Sequence, residues 1–272
     1  MHFIFLFLML NSSFFCYSQV KISGLVKSAD SSALSYVNIG IKQKNVGTIS
    51  GTSGQFALIL PAQNLQDTLT FSYVGFEELN IPLQSVIGSS NHICILTPKA
   101  TQLAEVVVTG KQLKQKRVGI KSRNPFVSGT AQSENNNDII EFVKFIDINN
   151  KAARIESVSV YLLGVRIDTA IFRINFYNVK DNMPADKIIN KNIIERMSVK
   201  KGWLTINLSK ENIVLNKNFF VGFEFMPQIN LPEYSLTYGA QLGGAYITRK
   251  SSLGSWQKGK GASFSAYVSL LQ

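Results

Sequence analysis

Residues 46–56 read Val-Gly-Thr-Ile-Ser-Gly-Thr-Ser-Gly-Gln-Phe, a run of glycines and small polar residues with an aromatic residue at its end. This composition is typical of a tight chain reversal, because glycine adopts the positive φ angles that turns require. Phe56 then begins an alternating apolar segment. The stretch therefore predicts a reversal between two strands, with Phe56 buried at the start of the second strand.

Alternation of apolar and polar residues continues on both sides of this turn, which is the pattern of half-buried strands. No convincing helical periodicity interrupts it between residues 20 and 98. Short strands at this spacing predict a compact antiparallel β-sandwich. The alternating segments are Val20–Val26, Ser35–Ile41, Gln55–Leu60 and Thr68–Val74.

The same region carries four sequence blocks in a characteristic order: residues 24–26, 34–39, 46–56 and 69–76. In order and spacing these blocks resemble the carboxypeptidase-like regulatory domain of Bacteroidetes envelope proteins. The resemblance covers about residues 20–98 and implies a seven-stranded, transthyretin-like sandwich that has no catalytic residues of its own. We place the bounds of this domain at residues 20–110.

A valine run follows this predicted sandwich, in Leu103-Ala104-Glu105-Val106-Val107-Val108. The run resembles the segment that follows the same sandwich in TonB-dependent outer-membrane receptors. We expect either a final edge strand or a strand that is offered to the sheet of a partner by β-augmentation. In the second case Val106, Val107 and Val108 are the partner contacts.

The first 19 residues contain an apolar run that is short for a bilayer span, which needs roughly 20 apolar residues. We therefore expect a cleaved signal peptide over residues 1–19, with an uncleaved anchor or lipidation of Cys16 as alternatives. Cleavage leaves Cys94 as the one thiol, so the exported chain is held by its core without an internal disulfide. We expect Cys94 to be a small buried hydrophobic residue.

Between the two halves of the chain lies a basic stretch with weak hydrophobicity. The whole chain has 28 Lys plus Arg against 17 Asp plus Glu, a net charge of +11. Six of these cations lie between Lys111 and Arg123, so we predict a basic and polar linker over residues 111–138. The stretch lacks the aromatic and motif pattern of nucleic-acid binding, and we expect no nucleic-acid partner. Contact of Lys111–Arg123 with an anionic membrane surface is an open alternative.

The remaining residues, 139–272, again show period-two segments, for example Ile171–Tyr177 and Phe219–Phe225. Many strands with this pattern predict a second sandwich, of jelly-roll type. This half is similar to the jelly-roll modules of extracellular bacterial proteins.

Jelly rolls often bind carbohydrate, so the aromatic residues of this half are candidate ligand contacts. Trp256 lies in a Gly- and Lys-rich stretch near Tyr246, and the two could form a stacking platform for a sugar or a contact for a partner. Alternatively, Trp256 folds back onto the sandwich. We expect Trp203, at the start of a strand, to pack in the core.

Catalytic motifs and metal-ligand spacings are missing from the sequence, and we expect no catalytic residues, no cofactor and no metal. A glycosidase needs only two carboxylates, and Glu141, Glu156, Asp168 and Glu224 are present. We expect Glu224, in the alternating Phe223-Glu224-Phe225, to face solvent. Calcium at Asp147–Asn150 is an alternative that the spacing leaves open.

Together these patterns predict a non-catalytic, exported protein of the cell envelope, in the periplasm or at the outer membrane. Its two β-sandwich domains would act as an interaction or regulatory module for an envelope protein. The alternative is a carbohydrate-binding accessory protein that uses the C-terminal jelly roll.

Overall fold

The structure is a computed structural model that describes residues 19–88, 91–99, 113–132, 140–226 and 235–272. Strands dominate these residues. The helical segments among them are single turns of 3₁₀-helix, at Ala62–Asn64, Leu83–Ser85 and Ser209–Glu211. The all-β prediction is confirmed.

Within the described residues, the N-terminal domain has seven strands: β1 (Gln19–Ser28), β2 (Asn38–Gly40), β3 (Gly47–Ile49), β4 (Gln55–Pro61), β5 (Thr68–Ser72), β6 (Leu79–Pro82) and β7 (His92–Leu96). Three strands form one sheet in the order β4-β1-β7, and four form the other in the order β3-β2-β5-β6. β1 is antiparallel to β4 but parallel to β7. The predicted seven-stranded sandwich is therefore confirmed.

The turn before β4 explains how the chain enters this sandwich. Gly54 has φ +81°, and its N–H donates to the carbonyl of Gly51 over 3.0 Å. Phe56 then points inward and meets Phe71 of the opposite sheet edge-on, with ring centroids 5.5 Å apart. Alternate residues of β4 are buried, as period-two patterning requires. Cys94 is buried in the same core, as expected.

The second domain contains the strands β8 (Gln115–Gly119), β9 (Asn124–Gln132), β10 (Ile140–Ile146), β11 (Ala153–Val165), β12 (Thr169–Lys180), β13 (Met183–Lys187), β14 (Ile193–Ser198), β15 (Gly202–Asn207), β16 (Val214–Leu215), β17 (Phe219–Met226), β18 (Ser235–Arg249), β19 (Gln257–Phe264) and β20 (Ala266–Leu271). They form one hydrogen-bonded network whose central path is β13-β12-β17-β10-β18-β11-β20-β8.

The long strand β18 belongs to both layers of this domain. Its first half pairs with β9 and β11, and its second half pairs with β10 and β19. The network thus folds back on itself, and inward side chains of β12 and β17, such as Phe172 and Phe223, share one core with Val158 of β11 and Val268 of β20. A sandwich is confirmed here, while its assignment to the jelly-roll type stays a prediction.

The structure corrects the predicted linker over residues 111–138. Within that range, β8 pairs with β20 and β9 pairs with β18. Val118 also packs against the core of the second domain. The basic composition misled the prediction because a strand at the edge of a sheet tolerates charged side chains on its exposed face.

Candidate functional site

The outward face of the layer formed by β10, β12 and β17 is polar yet buried. Arg173 and Asn175 lie on β12, Glu141 on β10 and Glu224 on β17, and all four side chains are almost fully shielded from solvent. Strand pairing brings them together, because Glu224 lies opposite both Glu141 and Arg173 in the sheet. Alternation places them all on the face away from the core.

Hydrogen bonds join these groups into a single network. The Asn175 amide nitrogen donates to Glu141 Oε1 and to Glu224 Oε2, each over 2.9 Å. The Tyr177 hydroxyl donates to Glu141 Oε1 over 2.7 Å. Arg249 of β18 donates to Glu141 Oε2 from Nε over 2.8 Å and from Nη2 over 2.5 Å. Each carboxylate thus has an arginine as its counter-charge, as buried charges require.

Arg173 extends this network into the N-terminal sandwich. Its Nη2 donates to the backbone carbonyl of Tyr36 over 2.5 Å, and its Nη1 donates to the side chain of Asn38. The same Nη1 lies 3.4 Å from Glu224 Oε2. One guanidinium therefore binds both domains, and we refer to Glu141, Glu224, Arg173, Asn175, Tyr177 and Arg249 as the interface network.

Apolar contacts and backbone hydrogen bonds complete the contact between the domains. Ile49 packs against Ile171 and Met226 of the second domain. The segment after β18 adds two hydrogen bonds, from Gln43 N to the Leu253 carbonyl over 2.8 Å and from Lys250 N to the side chain of Asn45 over 3.1 Å. The two sandwiches are thus packed together through the β2-β3 side of the first.

The charges of the interface network shift its pKa values. Burial by itself raises the pKa of Glu224, but the charges of Arg173, Lys187 and Arg249 outweigh burial and lower it from 4.5 to about 2. Burial raises the pKa of Tyr177 well above 10, so this phenol remains a hydrogen-bond donor. Glu224 is therefore ionised at neutral pH.

The expectation that Glu224 faces solvent is wrong. Phe223 and Phe225 do point into the core of the second domain, so the alternation itself is as predicted. The face opposite that core is covered by the N-terminal sandwich, which the sequence did not indicate. Glu141 and Glu224 are brought together around Asn175, but both carboxylates are fully buried, so no substrate can reach them in this structure. Glu156 instead pairs with Arg154, with 2.8 Å between its Oε1 and the guanidinium Nε.

Trp256 lies against the interface network. Its ring is 4.2 Å from the guanidinium carbon of Arg249 and meets the ring of Tyr177 edge-on at 5.5 Å. This is the folded-back arrangement that the sequence left open, and a cation–π contact stabilises it.

Tyr246 lies elsewhere, at a cleft of about 340 Å³ between β9, β10, β18 and β19. Phe142, Tyr238 and Phe264 form its aromatic walls. The Tyr238 hydroxyl is buried without a hydrogen-bond partner among the described residues. Trp256 and Tyr246 therefore do not form one platform, although each still offers a surface for contact.

Trp203 is not in the core, contrary to expectation. It projects from β15 on the outer face of the second layer of this domain, which contains β15, β11, β20 and β8, and it is 37% exposed. Tyr161 and Tyr267 flank its ring, and the guanidinium groups of Arg123 and Arg117 lie over these two tyrosines. Sequence reasoning missed this cluster because its members come from separate strands, although the alternation of β15 does place Trp203 opposite the buried Leu204.

The N-terminal sandwich has an exposed apolar face on its three-stranded sheet. Ile59 of β4 and Ile93 and Ile95 of β7 point outward, and the two β7 side chains are 63% and 56% exposed. β7 is the last strand of this sheet in the described residues. The predicted partner contacts Val106, Val107 and Val108 lie outside the described residues.

The part of the chain that the structure describes lacks two features. No group of three or more His, Cys, Asp and Glu side chains is placed to hold a metal ion in this part. In the same residues, no helix has the length and apolar character needed to cross a membrane. At Asp147–Asn150, the carboxylate of Asp147 accepts a hydrogen bond from the backbone of Asn149 over 2.8 Å.

Comparison with known proteins identifies the first domain by class. Residues 22–108 match the model of the family described as CarboxypepD_reg-like domain. The chain thus carries a carboxypeptidase-regulatory-like β-sandwich, which is a non-catalytic type of domain.

Other comparisons are distant. No curated protein matches the sequence. Among solved structures, that of the infectious bursal disease virus Gt strain shows 8% identity and a TM-score of 0.30, covering 93% of this chain and 63% of that one. The major pilin subunit of Bacillus cereus shows 8% identity and a TM-score of 0.19, covering 92% of this chain and 69% of that one. The chain spans less than two thirds of the viral protein's length.

Proposed function

We propose that the protein is a non-catalytic, exported protein of the cell envelope that binds an envelope protein through its N-terminal sandwich. The observation that carries this proposal is that one sheet of that sandwich contacts the second domain while the other sheet is exposed. The β2-β3 side is occupied by the second domain, whereas the face with Ile59, Ile93 and Ile95 is apolar and exposed. Exposed apolar patches are typical of protein contact sites.

The geometry of β7 supports a particular mode of contact. β7 is the last strand of its sheet among the described residues, and a strand in that position is a typical site for the addition of a partner's strand. In this mode the partner's backbone pairs with β7 while its apolar side chains cover Ile93 and Ile95. Val106, Val107 and Val108 follow β7 in the chain, outside the described residues, and we propose them as a second segment that a partner sheet takes up. In this proposal the interface network holds the second domain against the N-terminal sandwich, so that the second domain supports the contact face rigidly.

The experiment compares two double variants of equal charge change. Ile93→Lys with Ile95→Lys places charges on the proposed contact face, and Phe126→Lys with Leu242→Lys changes exposed apolar residues of the second domain. Each protein is used to capture partners from envelope extract, and the captured proteins are identified by mass spectrometry. We expect one partner to be lost with the first variant and retained with the second. Equal capture by both variants would refute this contact face.

Export is tested independently by cell fractionation and N-terminal sequencing. We expect the protein in the periplasmic or outer-membrane fraction, with a first residue near Gln19. Full-length protein in the cytoplasm would contradict export. The resemblance to Bacteroidetes envelope proteins supports this location.

Carbohydrate binding by the second domain is the alternative, and the cleft beside Tyr246 favours it. Aromatic walls and a rim with Ser128, Thr130 and Gln257 offer both ring stacking and hydrogen bonds to a sugar. The direct test is binding to a glycan array by the wild type and by Tyr246→Ala. Trp256→Ala is a poorer test, because Trp256 also covers Arg249.

A further inference from the structure

The outer face of the second layer carries a cluster of aromatic and cationic side chains that the proposed protein contact does not use. It consists of Trp203, Tyr161, Tyr267, Arg117 and Arg123, and we call it the Trp203 surface. Trp203 comes from β15, Tyr161 from β11 and Tyr267 from β20. Arg117 lies on β8, and Arg123 directly precedes β9. Five separate chain segments therefore converge on this surface.

The position of the Trp203 ring is fixed by its neighbours. Tyr161 lies directly opposite Trp203 in the β11-β15 pairing, and their rings meet edge-on with centroids 5.3 Å apart. Tyr267 lies on β20, on the other side of β11 from Trp203, and the centroids of their rings are 4.9 Å apart. This reach is possible because the intervening residue of β11 is the small, fully buried Ser159, which pairs with Tyr267. Edge-on contacts on two sides hold the indole in place while part of it stays exposed.

The two arginines are arranged as anion-binding groups. The guanidinium carbon of Arg123 lies 5.0 Å from the centre of the Tyr161 ring, and that of Arg117 lies 5.6 Å from the Tyr267 ring. Stacking on a ring orients a guanidinium but leaves its N–H groups free to donate. No carboxylate among the described residues forms a salt bridge with either arginine.

The strands around the cluster are almost free of negative charge. In β8, β11, β15 and β20 the one carboxylate is Glu156, which is paired with Arg154. Lys200 and Lys201 directly precede β15 and add positive charge. The surface therefore complements an anionic ligand.

Two polar side chains lie further along the face of β15 that carries the indole. Thr205 and Asn207 follow Trp203 at alternate positions of β15, so they share its face, and both are exposed. A hydroxyl and an amide on the same strand face as an aromatic ring suit a sugar chain, which presents both C–H faces and hydroxyl groups. They suit an acyl chain poorly, because an acyl chain cannot hydrogen-bond to them.

From this geometry we propose that the Trp203 surface binds an acidic polysaccharide. A sugar ring stacks on the indole of Trp203, and carboxylate or phosphate groups of the polymer pair with Arg117 and Arg123. The proposal is independent of the protein contact at Ile93 and Ile95, which lies on the other domain. It also gives the cations of the predicted linker a defined role at a sheet surface.

The test measures the dissociation constants of the full chain for polygalacturonate and for dextran, a neutral polysaccharide, by isothermal titration calorimetry. We expect binding to polygalacturonate that weakens as salt rises, and little binding to dextran. Replacing Trp203→Ala should weaken polygalacturonate binding by about tenfold or more, the effect typical of a central aromatic anchor. The Trp203→Tyr variant should retain much of the wild-type affinity for polygalacturonate, because it keeps an aromatic ring at this position.

A charge-matched pair of variants separates specific from general electrostatic attraction. Arg117→Gln with Arg123→Gln removes two cations from the surface, and Lys258→Gln with Lys260→Gln removes two exposed cations from β19. We expect the first pair to weaken binding by about tenfold and the second to have little effect. The replaced arginines and lysines are not part of the core. Comparing the two double variants therefore tests the proposal even if Trp203→Ala fails to fold.

Three outcomes would overturn the proposal. Equal loss of binding in both charge-matched variants would mean general attraction of a polyanion to a basic protein. Equal affinity for dextran and polygalacturonate would remove the role of the arginines. Binding to vesicles that contain anionic lipid, without binding to polygalacturonate, would identify a membrane contact instead. Partner capture by the Ile93 and Ile95 face is measured separately, so either proposal can fail alone.

Discussion

Arg173 and Glu224 show at the scale of single residues how the protein places charge inside its fold. Both side chains are buried, and neither is isolated, because each has several polar partners. A buried ion pair of this kind contributes little net stability compared with an apolar pair, but losing one partner leaves an uncompensated charge. The pair therefore favours one particular arrangement of the two domains over others.

Glu224 should make the stability of the protein depend on pH in the acid range. Its pKa is about 2 in the folded chain against an ordinary value of 4.5, so the unfolded chain takes up a proton first. Its contribution is complete above pH 4.5 and is lost as the pH falls from there towards 2.

The Glu224→Gln variant tests this expectation by chemical denaturation between pH 2 and pH 7. At neutral pH we expect a loss of roughly 3 kcal/mol in the free energy of unfolding, because Arg173 keeps its charge without its counter-charge. Between pH 4.5 and pH 2 we expect the variant to lose less stability than the wild type. Parallel pH profiles would show that Glu224 is not ionised as described. Glu156→Gln, at a partly exposed ion pair, is the control.

At the scale of elements, β-strands are specified by alternation but their boundaries depend on turns. The reversal between β3 and β4 requires Gly54, which has φ +81° and whose Cα lies against the backbone of Val26. An added Cβ would lie 2.6 Å from the Val26 carbonyl oxygen, which is closer than atoms approach without displacement. This turn and the alternation that follows it establish the first sandwich.

Gly54→Ala should therefore destabilise the protein. We expect a loss of about 2 kcal/mol, from the strained φ and from the backbone clash. Gly75→Ala is the matched control, since Gly75 has φ +82° but open space around its Cα. The free energies of unfolding of both variants are compared in denaturant. An equal loss in the two would mean that the clash with Val26 contributes nothing.

The basic segment that contains β8 provides a second test at this scale. In the structure the backbone of Lys116, Arg117 and Val118 pairs with β20. The N–H groups of Lys114 and Ile120 donate to carbonyl groups at the two ends of β20. By alternation, those of Lys116 and Val118 face β20 as well, whereas that of Arg117 points away. We therefore expect the amide hydrogens of Lys116 and Val118 to exchange slowly, whereas those of a solvated linker exchange rapidly. Hydrogen exchange followed by mass spectrometry of peptides that cover residues 113–120 measures this. Rapid exchange there would restore the linker interpretation.

At the scale of the whole molecule, the two sandwiches are joined face to face through Arg173, Ile49 and the segment after β18. Because polar and apolar contacts both cross this interface, we expect the two domains to unfold together in one transition. The interface also determines which surfaces remain available. The β7 face of the first domain and the Trp203 surface of the second are both exposed.

Arg173→Met should disturb the coupling between the domains. The variant leaves Glu224 buried without its closest cation and removes the bonds to Tyr36 and Asn38, so we expect a loss of roughly 3–5 kcal/mol. Differential scanning calorimetry should then show two transitions in place of one. Arg154→Met, at a partly exposed pair, should change stability by less than about 1 kcal/mol. A single unshifted transition in Arg173→Met would show that this arginine does not couple the domains.

The sequence predicted correctly what depends on neighbouring residues. Alternation around Phe56 and the glycines before it indicated strands, turns and the first sandwich, and Cys94 is buried as expected. Period two also identified Phe223 and Phe225 as core residues. The pattern could not say whether the opposite face meets water, because alternation describes two faces without naming what covers each one.

By itself, then, the sequence determined the all-β class and a sandwich in the N-terminal half, since both are encoded in short segments. The family resemblance of those segments implied that this sandwich has seven strands. The tertiary structure alone decided that Glu224 is buried, that Trp203 is exposed and that part of the basic stretch joins a sheet. These outcomes depend on contacts between distant segments, such as Asn38 and Arg173, which are 135 residues apart. Whether a side chain meets solvent or another domain is settled only when such segments pack together.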